Sequence, residues 1–457
     1  MPVSRCILTV VTSTALIAGC ADPTGMTSRE TMGPRFGRVS TTLSVTATSP
    51  SQATLDTTLD VKVSGSGFDS GSQAQWLLSG NSDPRVRTNS THFVSSTSLV
   101  ANITIAKDAI PSSYDVAVTT TTGKKGIGTE LFTVLAMQEM SSPAGSSNAW
   151  SAAANGDVVG ARAGGCNSSM LPVIWPAAGA PVDLPLIAPW CNGIANFVNS
   201  SGVMVGRLNI GTNSTVPVRW LPNGSDYSVE PMGLLPDGSS PDLMGMNDSG
   251  YVVANHNGSP GSRPYWWSRD SGWLPIATVT GASDCYANAI NAVGEISGSC
   301  AISGVLTAVF WSSRFAIPTL LPRFPGSTLR FAAMGLNNLG VVVGHGYSLA
   351  KSGQVTYTGA RWTRTGSTWS IETLPGLSAG GSQPKSVNDA GWIVGTGWVG
   401  SDKNHAFVIA PGQPIRDLGS LGTESWVMGM SPGSAGPGFV VGVSNVGTVK
   451  RATLWRP

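Results

Sequence analysis

The sequence predicts an all-β protein: a small β-sandwich followed by a seven-bladed β-propeller whose ring is closed by an outer strand from the N-terminal side. Three observations predict it. A repeat runs through residues 136–457 at the spacing of a four-stranded blade. Apolar and small residues alternate over short runs between Gly, Asn, Pro and Ser punctuation. No stretch holds a helical spacing.

Each repeat reads aliphatic-Asn-x-x-Gly, then Val-Val-Gly, then a strand ending in Trp. Five copies keep the Asn: Asn199, Asn247, Asn291, Asn337 and Asn388. The first, around Asn155, and the last, at Met430-Ser431, are degenerate, as end repeats commonly are. The marker closing Val-Val-Gly falls at Gly160, Gly206, Ala254, Gly298, Gly344, Gly395 and Gly442, about 44 to 51 residues apart.

The inner strand ends at the Asn, and Asn-x-x-Gly makes a hairpin turn, because Asn bonds nearby backbone and Gly tolerates positive φ. Val-Val-Gly is the second strand. The third ends in Trp175, Trp220, Trp267, Trp311, Trp362 and Trp455, with Val408 standing in for Trp in the sixth unit. These Trp residues are expected to fill the wedges between blades. The fourth strand is Pro-rich, which suits an outer edge. The seventh unit has no fourth strand after Trp455, so Met137-Gln138-Glu139-Met140-Ser141-Ser142-Pro143 is expected to supply it and close the ring; an independent linker is the alternative.

Residues 1–19 read as an export signal: Arg5 precedes an uncharged apolar run too short for a membrane span. Leu16-Ile17-Ala18-Gly19-Cys20 resembles the lipobox of bacterial lipoproteins. That resemblance implies lipidation at Cys20, and Ala21 after it implies the outer membrane or cell surface. Ordinary secretion is the alternative. Residues 20–42, rich in Thr, Ser, Gly and Pro, read as a flexible tether.

Residues 43–135 show strand alternation in Leu59-Asp60-Val61-Lys62-Val63, Asn102-Ile103-Thr104-Ile105 and Tyr114-Asp115-Val116-Ala117-Val118. Together with Ser49-Pro50, Gly65-Ser66-Gly67-Phe68 and Ala109-Ile110-Pro111-Ser112-Ser113-Tyr114, this region resembles an immunoglobulin-like IPT/TIG domain, which implies a spacer or protein-interaction module. The repeats are similar to the HAF-type extracellular family, through His405-Ala406-Phe407-Val408, Asp417-Leu418-Gly419-Ser420-Leu421-Gly422 and the Asn-x-x-Gly units. That resemblance implies an exported repeat domain and brings no catalytic residues with it.

Only 11% of residues are charged and the formal net charge is +2, which argues against nucleic-acid partners and against electrostatic membrane binding. With Cys6 in the signal and Cys20 lipidated, Cys166, Cys191, Cys285 and Cys300 remain, an even set that suits an oxidising compartment. Cys285 and Cys300 lie symmetrically about one hairpin turn, and Cys166 and Cys191 lie in connections opening on one face. Both are candidate disulfides; free buried thiols are the alternative.

The inventory for catalysis is thin. His92, His256, His345 and His405 read as exposed loop residues, and Asp157, Asp248 and Asp389 as turn formers. Ser268-Arg269-Asp270-Ser271-Gly272-Trp273 is a shortened echo of the Asp-box of sialidase propellers, better read as a turn. No zinc-type His-Glu-x-x-His, Gly-x-Ser-x-Gly elbow or phosphate loop occurs. Neither a cofactor nor a metal is expected. Trp150, Trp190, Trp392, Trp398 and Trp426, outside the repeated Trp position, are candidate ligand-stacking platforms, with packing between blades as the alternative. Trp273 and Trp369 share that placement. The sequence thus reads as a monomeric, lipid-anchored, non-catalytic envelope protein that binds a polysaccharide or another envelope protein. A propeller glycan hydrolase or lyase, and a purely structural envelope component, are the alternatives.

Overall fold

The computed structural model describes residues 42–456, apart from 141, 143–144, 211–213, 257, 259–260, 326, 350–354, 401–402, 433–435 and 437. Cys20, the export signal and most of the tether therefore lie outside the described residues. The fold is all-β, with one short 3-10 turn at Cys166–Ser168 among the described residues.

The N-terminal strands form two sheets around one core. Ser44–Ser49, Thr57–Ser66, Ser98–Ile105 and Val86–Ser95 make one; Gln52–Thr54, Lys125–Leu135, Ser112–Thr119, Gln73–Leu78 and Asn81–Ser82 make the other. Alternation drives the burial: Leu99, Ala101, Ile103 and Ile105 of one strand all point inward and meet Val61, Val63, Trp76 and Phe132. Trp76 sits edge-on to Phe132 at 5.8 Å. Near one end, the Tyr114 hydroxyl lies 3.0 Å from both the buried Asp83 carboxylate and the Ile110 carbonyl. The Arg85 guanidinium beside Asp83 holds that carboxyl below its usual range.

From residue 137 onward the described residues form seven four-stranded antiparallel sheets, the arrangement of a β-propeller-type fold. Six use four consecutive strands each, spanning 147–183, 192–231, 242–275, 284–320, 330–374 and 382–419. The seventh joins Ser425–Met430, Val440–Val446 and Val449–Trp455 to Met137–Glu139, with Met137 opposite Trp455 and Glu139 opposite Thr453. Met140 then donates its N–H to the Ala452 carbonyl, as Leu184, Met232, Ile276 and Leu321 do to their own third strands. Apolar clusters link each sheet to the next. The last sets Val441, Ala452 and Leu454 of the seventh sheet against Ala149, Ala152 and Val158 of the first.

Two side-chain devices hold neighbouring sheets together, and a third device tightens each sheet from within. The turn Asn accepts backbone N–H bonds within its own hairpin through Oδ1, and its Nδ2 reaches across to the next sheet. Asn247 donates to the Asn291 carbonyl, Asn291 to Asn337, Asn337 to Asn388, and Asn388 to Gly436, at 2.7 to 3.1 Å. The third-strand Trp does the same in reverse: Trp220, Trp267, Trp311 and Trp362 donate to the carbonyls of Pro185, Met232, Ala277 and Pro322 in the preceding sheet. Each such ring buries on the order of 150–250 Å², so apolar transfer of about 4–6 kcal/mol accompanies the bond. The third device is the marker Gly. A bulge in each inner strand pushes a carbonyl toward it, so a Cβ on Gly206 or Gly298 would lie 2.0 or 1.9 Å from that oxygen and 2.9 Å from the Trp ring.

One assignment shifts. In the sixth sheet the residue at the Trp position is Ile409, paired with Ile393 as Trp362 is with Val342, rather than Val408. Phe407 fills the space instead, since a Cβ on Gly395 would meet its ring at 2.8 Å. The wedge is therefore filled from two positions earlier, with the side chain still on the same face of the strand.

Candidate functional site

A surface cleft with a volume of about 570 Å³ opens beside the fifth sheet. It is lined by Thr328, Arg330, His345, Tyr347, Ser348, Val355 and Tyr357. Local geometry explains the grouping. The second and third strands of this sheet, Val341–Leu349 and Val355–Thr365, run 9 and 11 residues, against 6 and 6 in the first sheet. Their hairpin is therefore longer than that of the first sheet. Arg330 on the inner strand pairs with Tyr347, and Tyr347 with Tyr357, so the three form one cross-strand row. Trp398 of the sixth sheet stacks on Tyr357 at 5.1 Å and 19°.

His345 lies at the inner side of this row, with its ring 5.2 Å from Tyr357 and 6.3 Å from Tyr347. Its Nδ1 is buried without a hydrogen-bond partner. Burial, with a smaller contribution from the Lys385 charge, pushes its pKa down to about 4, so the imidazole is neutral near pH 7. Lys385 occupies the bulge of the sixth inner strand; burial lowers its pKa too. The reading of His345 as an exposed loop residue is thus corrected. It is a strand residue, and its environment comes from a neighbouring sheet. His256 and His405 are not free either: they pair with Asp237 at 3.3 Å and Asp417 at 2.8 Å, and the Asp417 bond raises the His405 pKa.

The second cleft, of about 340 Å³, lies between the Asn turns of the second and third sheets and includes Asp248, Tyr251, Arg269 and Asp270. Some of its polar groups are engaged structurally. Asp248 accepts the Ser200 N–H, and Arg219 pairs with Glu230 while lying 5.5 Å over Trp267. The Ser268–Gly272 segment is a turn closed by Ser268 and Ser271.

Of the candidate stacking residues, Trp398 reaches the larger cleft through its contact with Tyr357. Trp190 and Trp392 pack on the clusters between first and second and between sixth and seventh sheets. Trp150 is half-buried at the bulge of the first inner strand, its Nε1 enclosed without a partner. Trp426 is half-buried opposite Val443. Trp273 is buried and donates to the Gly233 carbonyl, and Trp369 packs on Phe310 at 4.9 Å. Cys166 is bonded to Cys191 and Cys285 to Cys300, with Cα separations of 5.8 and 4.1 Å. Sequence reasoning missed Arg330, Tyr347 and Tyr357. The available signal was the marker interval from Gly344 to Gly395, the longest in the array, which reports the extended hairpin.

The larger cleft can stack a flat ligand face on Tyr357 and hydrogen-bond it through Arg330, Thr328 and Ser348, and no carboxylate is among its described lining residues. No group of three or more His, Cys, Asp or Glu that could hold a metal occurs among the described residues. No protein-family model matches the chain, and no curated protein matches it. Among solved structures, TolB from Acinetobacter baumannii is 12% identical over 69% of this chain and 62% of that one, with a TM-score of 0.34. A mutant of AofleA from Arthrobotrys oligospora is 12% identical over 62% and 88%, with a TM-score of 0.36. YjhT is 11% identical over 54% and 94%, with a TM-score of 0.33. Such scores carry no argument, and the β-propeller-type fold rests on the strand topology of the chain itself.

Proposed function

We propose that this is an exported, lipid-anchored, non-catalytic binding protein of the bacterial envelope. In this reading an immunoglobulin-type sandwich, residues 43–135, carries a seven-bladed propeller, residues 136–457, closed by Met137–Glu139, and the propeller holds a polysaccharide in the cleft of its fifth blade. The observation that carries it is the row Arg330, Tyr347 and Tyr357 with Trp398 stacked behind: aromatic faces and hydrogen-bond donors, with no carboxylate among the described lining residues to act as acid or base. The two disulfides support an oxidising compartment. The sequence around Cys20 supports the anchor.

The test is retention of the full-length protein on insoluble polysaccharides and envelope extracts, with soluble products assayed in the same tubes. Retention without product, lost in Tyr357→Ala, supports the binding role. Product release would replace it with a glycan hydrolase or lyase, and neither signal would point to a structural component. Incorporation of labelled palmitate into the wild type but not Cys20→Ser checks the anchor separately.

A further inference from the structure

The cleft of the fifth sheet contains one of the few strand arginines of the propeller-type sheets that have no carboxylate partner among the described residues, as the exposed Arg416 also has none. Most arginines on the propeller-type sheets that project from strands meet a carboxylate: Arg162 pairs with Asp183, Arg207 with Asp242, Arg219 with Glu230, Arg361 with Glu372, Arg364 with Glu295 and Arg451 with Glu139. Arg330 is exposed at the cleft wall and has no ion pair among the described residues. The neutral His345 lines the same cleft. Arg330 thus stands without a compensating acid among the described residues at a pocket whose other surfaces are phenol rings, hydroxyls, the His345 imidazole and Val355.

We infer that this cleft takes a sugar bearing an anionic group, which Arg330 receives while the ring face of the sugar lies on Tyr357. The inference rests on the reading of this cleft as a polysaccharide site. A volume of about 570 Å³ falls in the range of small-ligand sites, roughly 300–1,000 Å³, and suits a short stretch of chain rather than a single ion. The planar guanidinium can grip a carboxylate or a sulfate ester through two parallel N–H bonds. A neutral sugar would leave Arg330 without a counter-charge. The stacking wall and the cationic wall are fixed by strand register, so they meet the ligand at right orientation without loop rearrangement.

The experiment measures binding of the full-length protein to two matched pairs: polygalacturonate against its methyl ester, and dextran sulfate against dextran. Tighter binding of at least one acidic member than of its neutral partner, by tenfold or more, is the expected result. Arg330→Ala should lose at least tenfold on the acidic member and change the neutral one less than twofold. Arg87→Ala, an exposed arginine of the N-terminal sheets, should change neither. Which pair discriminates separates carboxylate from sulfate. Equal affinity within both pairs, or an Arg87→Ala loss equal to that of Arg330→Ala, overturns the anionic preference; the polysaccharide reading survives if Tyr357→Ala still abolishes retention. Absence of binding to all four polymers, with thermal melts showing a folded protein, overturns the preference. The wider retention panel then decides the reading on which it rests.

Discussion

At the residue scale, the turn Asn performs two tasks, and only one is written locally. Oδ1 of Asn337 accepts the Leu339 and Val341 N–H groups, a pattern expected of Asn before a tight turn. Its Nδ2, buried, donates 3.0 Å across to the Asn388 carbonyl, a partner 51 residues away that no local pattern reveals. Asn337→Ala should therefore cost roughly 2–4 kcal/mol in urea unfolding, since it strands buried groups on both sides. Asn155→Ala, at the degenerate first turn where the amide bonds only to Asp157, should cost under about 1 kcal/mol. His345 carries a second prediction. Its folded pKa of about 4 lies below the unfolded value near 6.5, so folding favours the neutral ring. Its contribution is fully present above pH 6.5 and is lost as pH falls toward 4, by up to about 3 kcal/mol. Stability measured against pH should fall less steeply across that window in His345→Gln than in the wild type. Lys385, Tyr347 and Tyr357 are the ionisable side chains seen to neighbour it; Tyr357 comes from the next strand and Lys385 from the next sheet, which is why its own sequence context suggested an exposed loop.

At the element scale, hairpins were legible and edges less so. Positions 285 and 300 are symmetric about the Asn291–Gly294 turn, and an antiparallel hairpin sets such positions side by side; the register pairs them. Removing that bond with Cys285→Ala and Cys300→Ala together should cost about 3 kcal/mol, the value expected for a loop of this length, read from oxidised samples in denaturant. The shift from Val408 to Ile409 has the opposite lesson: without a Trp to mark the strand end, sequence gives no register, and Phe407 fills the wedge from a different rung. The strand Met137–Glu139 was legible by counting, because every other unit owns an outer strand. Met137 is 1% exposed among Val394, Ala406, Val427 and Trp455, so Met137→Ala should lower stability by roughly 2–5 kcal/mol in a thermal or urea melt. The aromatic row of the fifth sheet was not legible as a site, since each of its members looks like an ordinary strand residue until three strands are placed in register.

At the scale of the whole molecule, the sandwich-like sheets and the repeat array are joined with little slack. Lys125–Leu135 ends one residue before Met137–Glu139 begins. Leu55 donates its N–H to the Met137 carbonyl, Arg456 donates to Ala136, and Gln138 reaches Asp56 at 3.0 Å. Two regions so stitched should unfold together: scanning calorimetry should give one cooperative transition, whereas a second resolved peak would mean that the junction is loose. The seventh sheet also sets an order of events. Its Ala452 N–H bonds the Ser147 hydroxyl across 305 residues, and its outer strand is the first of the array to leave the ribosome while its partner is the last. Until Val449–Trp455 arrives, Met137–Glu139 has no partner and the flank of the first sheet stays uncovered, so the chain emerges long before it can lock. Contacts of such sequence separation form slowly. A polypeptide that must pass through a narrow translocation pore gains from that delay, because the topology itself keeps it threadable until its last strand is delivered.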